Sequence, residues 1–139
     1  MKVSTLVKVD SKGRVTIPQS IRDLMGIKPG MLVSVVADVH KKEIIMSPIY
    51  SSLDKIYEIN VDLKDRPGAL ATVTSLLAEH NINIIATRCT TIMSGEEGNC
   101  VIVADLSKSE LDAESIRRRL EELEVVLQVR VSTFEAVSE

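Results

Sequence analysis

The sequence predicts an α+β protein built from two modules, and three observations lead to this prediction. First, residues 1–50 carry eight Lys and Arg against four Asp and Glu, whereas residues 51–139 carry nine against sixteen. Second, residues 1–50 have mainly the pattern of short strands, whereas residues 56–134 alternate between strand-like and helix-like periods. Third, a Pro- and Ser-containing segment separates the two patterns. We expect domains at residues 1–50 and 54–139.

Composition limits the class of protein. With 45% hydrophobic and 27% charged residues, the chain is typical of globular proteins. No apolar run reaches the roughly 20 residues of a transmembrane helix, and the first residues do not resemble a signal peptide. We therefore expect a soluble, cytoplasmic protein without membrane contacts. Cys89 and Cys100 are expected to be small, buried, reduced side chains, with a regulatory disulfide as the alternative.

The first module predicts short strands around one short helix. Alternating and β-branched residues indicate the strands, while Pro18 and Gly26 are typical of a helix start and a helix end. The predicted order is strands at residues 3–10 and 14–17, a helix at 19–25, and strands at 31–39 and 43–47.

The first module also predicts a dimer. The run from Met31 to Ala37 is almost continuously apolar, which favours burial on both faces. Fifty residues bury too little surface to enclose such a run alone. We therefore expect two copies to interleave and share one core as an obligate homodimer.

Four cations of the first module are candidate DNA contacts. In a symmetric dimer they become eight, enough for several phosphate contacts, and the affinity would fall with salt at a slope of about −0.9 per phosphate neutralised. The guanidinium groups also match the two acceptors of a guanine edge. The alternative is ordinary solubilising charge. The four residues are Lys8, Lys12, Arg14 and Arg22.

The first module resembles a known family. Residues 9–18 (VDSKGRVTIP), continued by Ile21-Arg22 and Pro29-Gly30, resemble the AbrB/SpoVT/MazE swapped-hairpin DNA-binding domain over residues 3–48. The resemblance implies an intertwined dimeric β-barrel whose basic strand-and-loop surface binds double-stranded DNA through the four cations. Val7 and Asp23 occupy positions that are basic in some members, which weakens the positive surface.

The second module predicts a four-stranded antiparallel sheet with both helices on one face, because the element order is βαββαβ. Residues 57, 59, 61 and 63 form the apolar face of its first strand. The predicted order is a strand at residues 56–63, a helix at 68–80, strands at 83–93 and 99–106, a helix at 110–123 and a strand at 125–134.

The second module also resembles a known family. Residues 65–70 (DRPGAL) and 78–84 (AEHNINI) resemble the ACT domain, a ferredoxin-like regulatory module that senses amino acids, and the resemblance covers residues 56–134. It implies side-by-side pairing of copies, so the choice between dimer and tetramer stays open. It also implies a small-molecule effector, expected to be an amino acid, where the first strand–helix loop of one copy meets a neighbour.

The chemistry of that loop suits an amino acid. A glycine lets a ligand approach the backbone closely, and free N–H groups at a helix start favour a carboxylate. Asp65 can bind an ammonium group or cap the helix, and Asn83 matches a position that contacts ligand in some family members. Alternatively, Asp65 is only a cap, Asn83 only begins a strand, and the site is empty. The candidate ligand-binding residues are Asp65, Gly68, Ala69, Leu70, Asn83 and Ile84.

Catalysis is not expected. The sequence has no phosphate-binding loop, dinucleotide fingerprint or nucleophile with an adjacent base. His40 and His80 fall in different modules, without the spacing of metal ligands. Residues 117–119, three consecutive arginines, are expected to form a solvated helix face paired with glutamates. No cofactor is expected beyond the effector.

These observations together predict a DNA-binding transcriptional regulator whose ACT half binds an effector and modulates operator binding. Two alternatives remain open. One is an antitoxin-like interaction protein, since swapped-hairpin domains occur in toxin–antitoxin pairs. The other is a regulatory subunit of an amino-acid biosynthetic enzyme.

Overall fold

A computed structural model describes residues 1–135 of the chain. None of the helices within this range combines the length and the apolar character needed to cross a bilayer. The elements are α1 (Gln19–Met25), β1 (Leu32–Asp38), β2 (Glu43–Ile49), a 3-10 turn (Leu53–Lys55), β3 (Ile56–Lys64), α2 (Ala69–Glu79), β4 (Asn83–Met93), β5 (Glu97–Asp105), α3 (Ala113–Glu121) and β6 (Val126–Thr133).

Helix α1 has the bounds that the sequence predicts. Pro18 precedes it with φ −56°, a value that proline fixes and that suits a helix start. Gly26 ends it in the left-handed conformation at φ 68°. The amide of Ile27 then donates to the carbonyl of Arg22 at 2.9 Å, which closes the last turn.

The β1–β2 hairpin pairs in antiparallel register from Leu32 opposite Ile49 to Asp38 opposite Glu43. Its turn is closed by the Lys41 amide, which donates to Asp38 Oδ1 at 3.0 Å. The strand predicted at residues 43–47 is two residues longer in the structure, where β2 continues to Ile49.

The predicted strands at residues 3–10 and 14–17 form no ladder within residues 1–135, although the turn between them is present. A strand needs a partner for its backbone groups, and a single chain offers these segments none. No side chain of residues 1–50 is buried, and Leu6, Val9 and Ile44 are 98%, 62% and 71% exposed. One chain therefore does not form the expected barrel.

The second module contains the predicted βαββαβ order. Its sheet has the strand order β4-β5-β3-β6, with every neighbouring pair antiparallel. Ile59, at the centre of the sheet, lies between Ile102 on β5 and Val131 on β6.

The core of the second module lies on one face of the sheet. Alternate residues of β3 pack there against both helices, so α2 and α3 cover the same face. The residues that are fully buried in this core are Ile59, Val61, Val73, Leu77, Ile102, Ala104, Ile116 and Leu120.

Helix α3 is shorter than the sequence predicts. It begins after Asp112, whose Oδ1 accepts a hydrogen bond from the Ser115 amide at 2.8 Å, a side-chain cap that fixes the helix start. It ends at Glu121, and the amide of Leu123 turns back to the carbonyl of Leu120 at 3.1 Å. The hydrophobic period predicted a helix over residues 110–123, but the Asp112 cap makes the helix begin later.

The expectation of two reduced cysteines is wrong: Cys89 and Cys100 form a disulfide. Cys89 on β4 lies directly opposite Cys100 on β5, with their Cα atoms 4.1 Å apart. Opposite residues in a pair without ladder hydrogen bonds bring their side chains closest, at about 4.5 Å between Cα atoms. Strand register therefore brings the two sulfurs together.

Candidate functional site

The turn at residues 10–14, called here the basic turn, is organised by one carboxylate. Asp10 Oδ1 accepts hydrogen bonds from the amides of Lys12 and Arg14, both at 2.9 Å, and Oδ2 accepts from Arg14 Nε at 2.8 Å. The hydrogen bonds from the amide and the side chain of Arg14 hold the pKa of Asp10 below its ordinary value. The turn therefore holds Arg14 by its Nε. Neither Nη group of Arg14 forms a hydrogen bond within residues 1–135.

The four predicted DNA contacts lie in three places. Asp10 joins Lys12 and Arg14 on the basic turn, and Lys8 lies on the exposed extended segment before it. Arg22 lies on α1, where it is half-buried and its Nε has no hydrogen-bond partner among the described residues. The side chain of Arg14 is 70% exposed, so a polyanion can reach it.

A cavity of about 180 Å³, called here the loop cavity, lies between the β3–α2 loop and the β4–β5 hairpin. It is smaller than the roughly 300–1,000 Å³ of pockets for drug-sized ligands, so it suits a molecule of amino-acid size. Its lining residues are Leu63, Lys64, Asp65, Arg66, Ala69, Leu70, Cys89, Thr90, Thr91, Gly98, Asn99 and Cys100.

The start of α2 presents backbone N–H groups at the loop cavity. Gly68 precedes the helix in the left-handed conformation at φ 86°, and no side chain caps the helix. The amide of Ala69 donates to the carbonyl of Arg66 at 3.2 Å, whereas the amides of Gly68 and Leu70 form no hydrogen bond with residues 1–135. An uncapped helix start of this kind favours a carboxylate.

Asp65 does not cap the helix. Its Oδ2 accepts from the Gly95 amide at 2.8 Å, and its own amide donates to the carbonyl of Glu96 at 3.2 Å. Asp65 thus connects the β3–α2 loop with the β4–β5 turn. Its Oδ1 forms no hydrogen bond within the described part of the chain.

The two cations that line the loop cavity share one acidic partner. Lys64 and Arg66 both form ion pairs with Glu124. The hydrogen bond from Lys64, together with the positive charges of both partners, lowers the pKa of Glu124 below its ordinary value. Glu124 therefore offsets part of the positive charge at the cavity.

Asn83 and Ile84 lie far from the other candidate ligand residues. Asn83 pairs with Asp105, which also pairs with Ile56 at the start of β3, whereas Thr91 pairs with Gly98 and hence lies beside the end of β3. Eight strand residues at about 3.3 Å each separate these ends by about 26 Å. A single chain therefore does not bring Asn83 to Asp65.

Several residues that line the loop cavity were not predicted from the sequence. Thr90, Thr91 and both cysteines reach the loop cavity only because β4 and β5 pair in one register. The side chain of Asn99 is engaged elsewhere, since its Nδ2 donates to Asn60 Oδ1 at 2.6 Å and Asp62 Oδ1 at 2.8 Å. In the sequence, the two cysteines flank a glycine-containing turn at similar distances, and this spacing could have indicated that they lie opposite each other.

The arginine run at residues 117–119 pairs with glutamates on its own helix. Arg117 bonds to both Glu114 and Glu121, and these two partners raise its pKa. The expected pairing with glutamates is thus confirmed for Arg117, whereas Arg118 and Arg119 form no ion pair within residues 1–135. Within residues 1–135, no three His, Cys, Asp or Glu side chains converge as metal ligands.

The segment between the modules makes contacts on both sides. The hydroxyl of Tyr50 donates to the carbonyl of Met25 at 2.6 Å, at the end of α1. The hydroxyl of Ser51 donates to the carboxylate of Asp105, at the end of β5. Two consecutive residues thus connect the first module to the sheet.

Comparisons with known proteins match two families to separate parts of the chain. The ACT domain family matches residues 57–125, and the family described as antidote-toxin recognition MazE, bacterial antitoxin, matches residues 6–53. A UPF0237 protein of Pyrobaculum aerophilum is 36% identical over 70 residues, which cover 50% of this chain and 76% of that protein. Residues 57–125 therefore belong to the ACT domain family and follow a MazE/AbrB-like N-terminal module.

Proposed function

We propose that the protein is a DNA-binding transcriptional regulator whose ACT domain binds an amino acid and changes operator affinity. The observation that supports DNA binding is the basic turn, where one carboxylate orients Lys12 and Arg14 on an exposed surface. Two copies that share the unburied strands of residues 1–50 double this surface. The dimer then contacts two half-sites related by its own two-fold axis.

The loop cavity is the proposed effector site. The free amides at the start of α2 bind the carboxylate of an amino acid, and Asp65 Oδ1 accepts from its ammonium group. The volume of about 180 Å³ restricts the side chain of the ligand to a small one.

A second copy supplies Asn83 to this site. Strand β4 is an edge strand, so its outer side is free to pair with another chain. Antiparallel pairing of two β4 strands places the Asn83 end of one copy beside the Met93 end of the other, where the loop cavity lies. Asn83 of one copy then completes the loop cavity of the other copy, which accounts for the large distance between Asn83 and Asp65 within one chain.

Effector binding acts on DNA through the connecting segment. An effector that favours one arrangement of the paired sheets shifts the population of the whole assembly toward it. Tyr50 and Ser51 contact α1 and the sheet, so a change of sheet pairing alters the separation of the two basic turns.

DNA binding is tested with Arg14→Ala in the full-length protein. We expect weaker retention of duplex DNA and a salt slope that is less steep by about 1.8 per dimer, because one phosphate contact per subunit is lost at about 0.9 each. Arg119→Ala is the matched control, since it removes the same charge from an exposed position on α3. An unchanged slope for Arg14→Ala contradicts the proposal.

Effector binding is tested with a thermal-shift panel of the twenty amino acids, with and without DNA. We expect one small amino acid to raise the melting temperature and to alter DNA retention. Leu70→Glu places a negative charge at the cavity and abolishes the shift, although a glutamate at a helix start does not oppose folding. Ala71→Glu, which adds the same charge one residue further from the cavity lining, retains it. A panel without any shift contradicts the effector role.

An antitoxin-like role is the second candidate, and the MazE match over residues 6–53 favours it. Co-purification of a small protein that is toxic when expressed alone would support this role. The folded second module, with its own buried core, favours the regulator.

A further inference from the structure

The disulfide lies at the wall of the loop cavity. Cys89 and Cys100 both line it, next to Thr90 and Thr91 on the edge strand β4. Across the cavity lie Asp65 and Leu70. The bond therefore joins the edge strand to the interior of the sheet at the point where β4 contributes to the cavity.

A bulge creates the cysteine pair. Met93 pairs with Glu97 at the turn, and uninterrupted pairing would place Cys89 opposite Val101. The register shift between Thr91 and Met93 inserts one residue, so that Cys89 lies opposite Cys100 and on the same face. Because the backbone ladder fixes this arrangement, the two sulfurs stay close after the bond is broken.

The two sulfurs differ in access. Cys89 is exposed, whereas Cys100 is only 4% exposed and belongs to the core cluster. An external thiolate can therefore attack Cys89 Sγ, and the buried Cys100 is the leaving group. This asymmetry is suited to a directed exchange reaction.

We propose that Cys89 and Cys100 form a reversible thiol–disulfide exchange site, operated by low-molecular-weight thiols and disulfides, that controls the β4 wall of the loop cavity. In the forward direction a thiolate RS⁻ bonds to Cys89 Sγ and the Cys89–Cys100 bond breaks, which releases Cys100 as a thiolate that takes up a proton. A second RS⁻ then attacks the outer sulfur of the mixed disulfide, which yields RSSR and the Cys89 thiolate, and this thiolate takes up a proton. The reverse reaction consumes RSSR and returns two RSH.

The cavity responds because the bond is part of its wall. Reduced sulfurs are no longer joined by a bond, so the pairing of β4 with β5 near Thr90 and Thr91 opens more easily, although the ladder keeps the strands together on average. The change reaches the β3–α2 loop through Asp65, whose carboxylate and amide both bond to the β4–β5 turn. The oxidised protein therefore has the better-defined cavity. Its consequence for effector binding depends on the proposed function above, whereas the exchange site itself does not.

The exchange site is tested on the full-length protein in mixtures of reduced and oxidised glutathione. Free thiols are trapped with N-ethylmaleimide, and the intact mass is measured. We expect a reversible titration between protein that carries no label and protein that carries two, with any glutathione adduct on Cys89. Formation of no disulfide at any ratio, irreversible oxidation, or unfolding on reduction would overturn the proposal.

Control of the cavity wall is measured without a ligand, by amide hydrogen exchange in the two redox states. In the reduced protein we expect the amides of residues 65–70 and 90–99 to exchange roughly tenfold faster or more, since local opening becomes easier, with α3 unchanged as an internal control. Cys89→Ser, at an exposed position, should behave as the reduced protein at every glutathione ratio. Equal exchange in both states would refute control of the wall.

The amino-acid panel, repeated in both redox states, separates the two proposals. A ligand with a larger shift in the oxidised protein supports the coupling, and a larger shift in the reduced protein overturns it. A panel without any shift rejects the proposed effector role, while the exchange site is decided by the mass and hydrogen-exchange measurements alone.

Discussion

At the scale of single residues, Asp10 has the largest influence on the candidate DNA surface. It accepts three hydrogen bonds from Lys12 and Arg14, so a negative charge organises two exposed cations of the first module. The sequence indicated which cations would lie on this turn. It did not indicate that Asp10 would hold Arg14, because an acidic residue on a strand face has several equivalent conformations open to it.

Asp10 should titrate below the ordinary aspartate pKa of about 3.9. A depressed pKa in the folded state contributes stability that is present above the unfolded value and is lost as the pH falls through the folded value. We therefore expect the basic turn to open only in strong acid, as measured by NMR titration of the Asp10 carboxyl carbon and the Arg14 amide. In Asp10→Asn the acid transition of Arg14 should disappear. Titration of Asp10 at or above 3.9 would contradict the geometry.

Gly68 should tolerate substitution poorly because of its backbone conformation. At φ 86° an added Cβ meets no atom within 4 Å, so the cost is conformational and not steric packing. We expect Gly68→Ala to lower the free energy of unfolding by about 1–2 kcal/mol, the cost of a left-handed residue. Gly68→Asn should cost less, since asparagine visits this region more readily. Urea denaturation measures both, and equal stability of all three proteins would exclude the left-handed conformation.

At the scale of elements, periodicity predicted the existence of the elements better than their ends. Strand β4 and helix α1 have the predicted bounds, because hydrophobic alternation and a proline–glycine pair mark them locally. Helix α3 starts three residues late because Asp112 forms a cap. The strands of residues 3–17 were predicted from alternation but find no partner in one chain.

The packing of α2 on the sheet gives a prediction for Leu77. This residue is completely buried among both helices and the sheet. We expect Leu77→Ala to lower the free energy of unfolding by about 2–5 kcal/mol, because the sheet cannot close the resulting cavity. Ala78→Ser, at the neighbouring exposed position, should change it by less than about 0.5 kcal/mol. A cost near zero for Leu77→Ala would show that α2 does not pack as described.

At the scale of the whole molecule, the two modules differ in whether a single chain gives them a hydrophobic core. The second has a continuous core of its own, whereas the first buries no side chain. Apolar side chains left exposed on this scale indicate an interaction surface. The obligate dimer proposed from the apolar run at residues 31–37 provides the surface that would cover them.

Val9→Asp tests this dimer. Val9 is 62% exposed in one chain, and a carboxylate there cannot be buried against a second copy without a large desolvation cost. We expect analytical ultracentrifugation to show a lower order of association at micromolar concentration, with the ACT module still folded. Val39→Asp, in the turn between β1 and β2 and outside the paired strands, should leave association unchanged. If Val9→Asp remains as associated as Val39→Asp, the dimer interface lies elsewhere.

The sequence by itself determined the two modules, the order of elements in the second, and the residues of the β3–α2 loop. These features depend on local periodicity and on turn residues, which act over a few positions. Only the tertiary structure decided which residues lie next to each other across the sheet. A one-residue bulge in β4 turned Cys89 toward Cys100, and the length of the same strand placed Asn83 about 26 Å from the loop at about 3.3 Å per residue. Strand register is set by long-range pairing, and a shift of one residue reverses the face of every side chain.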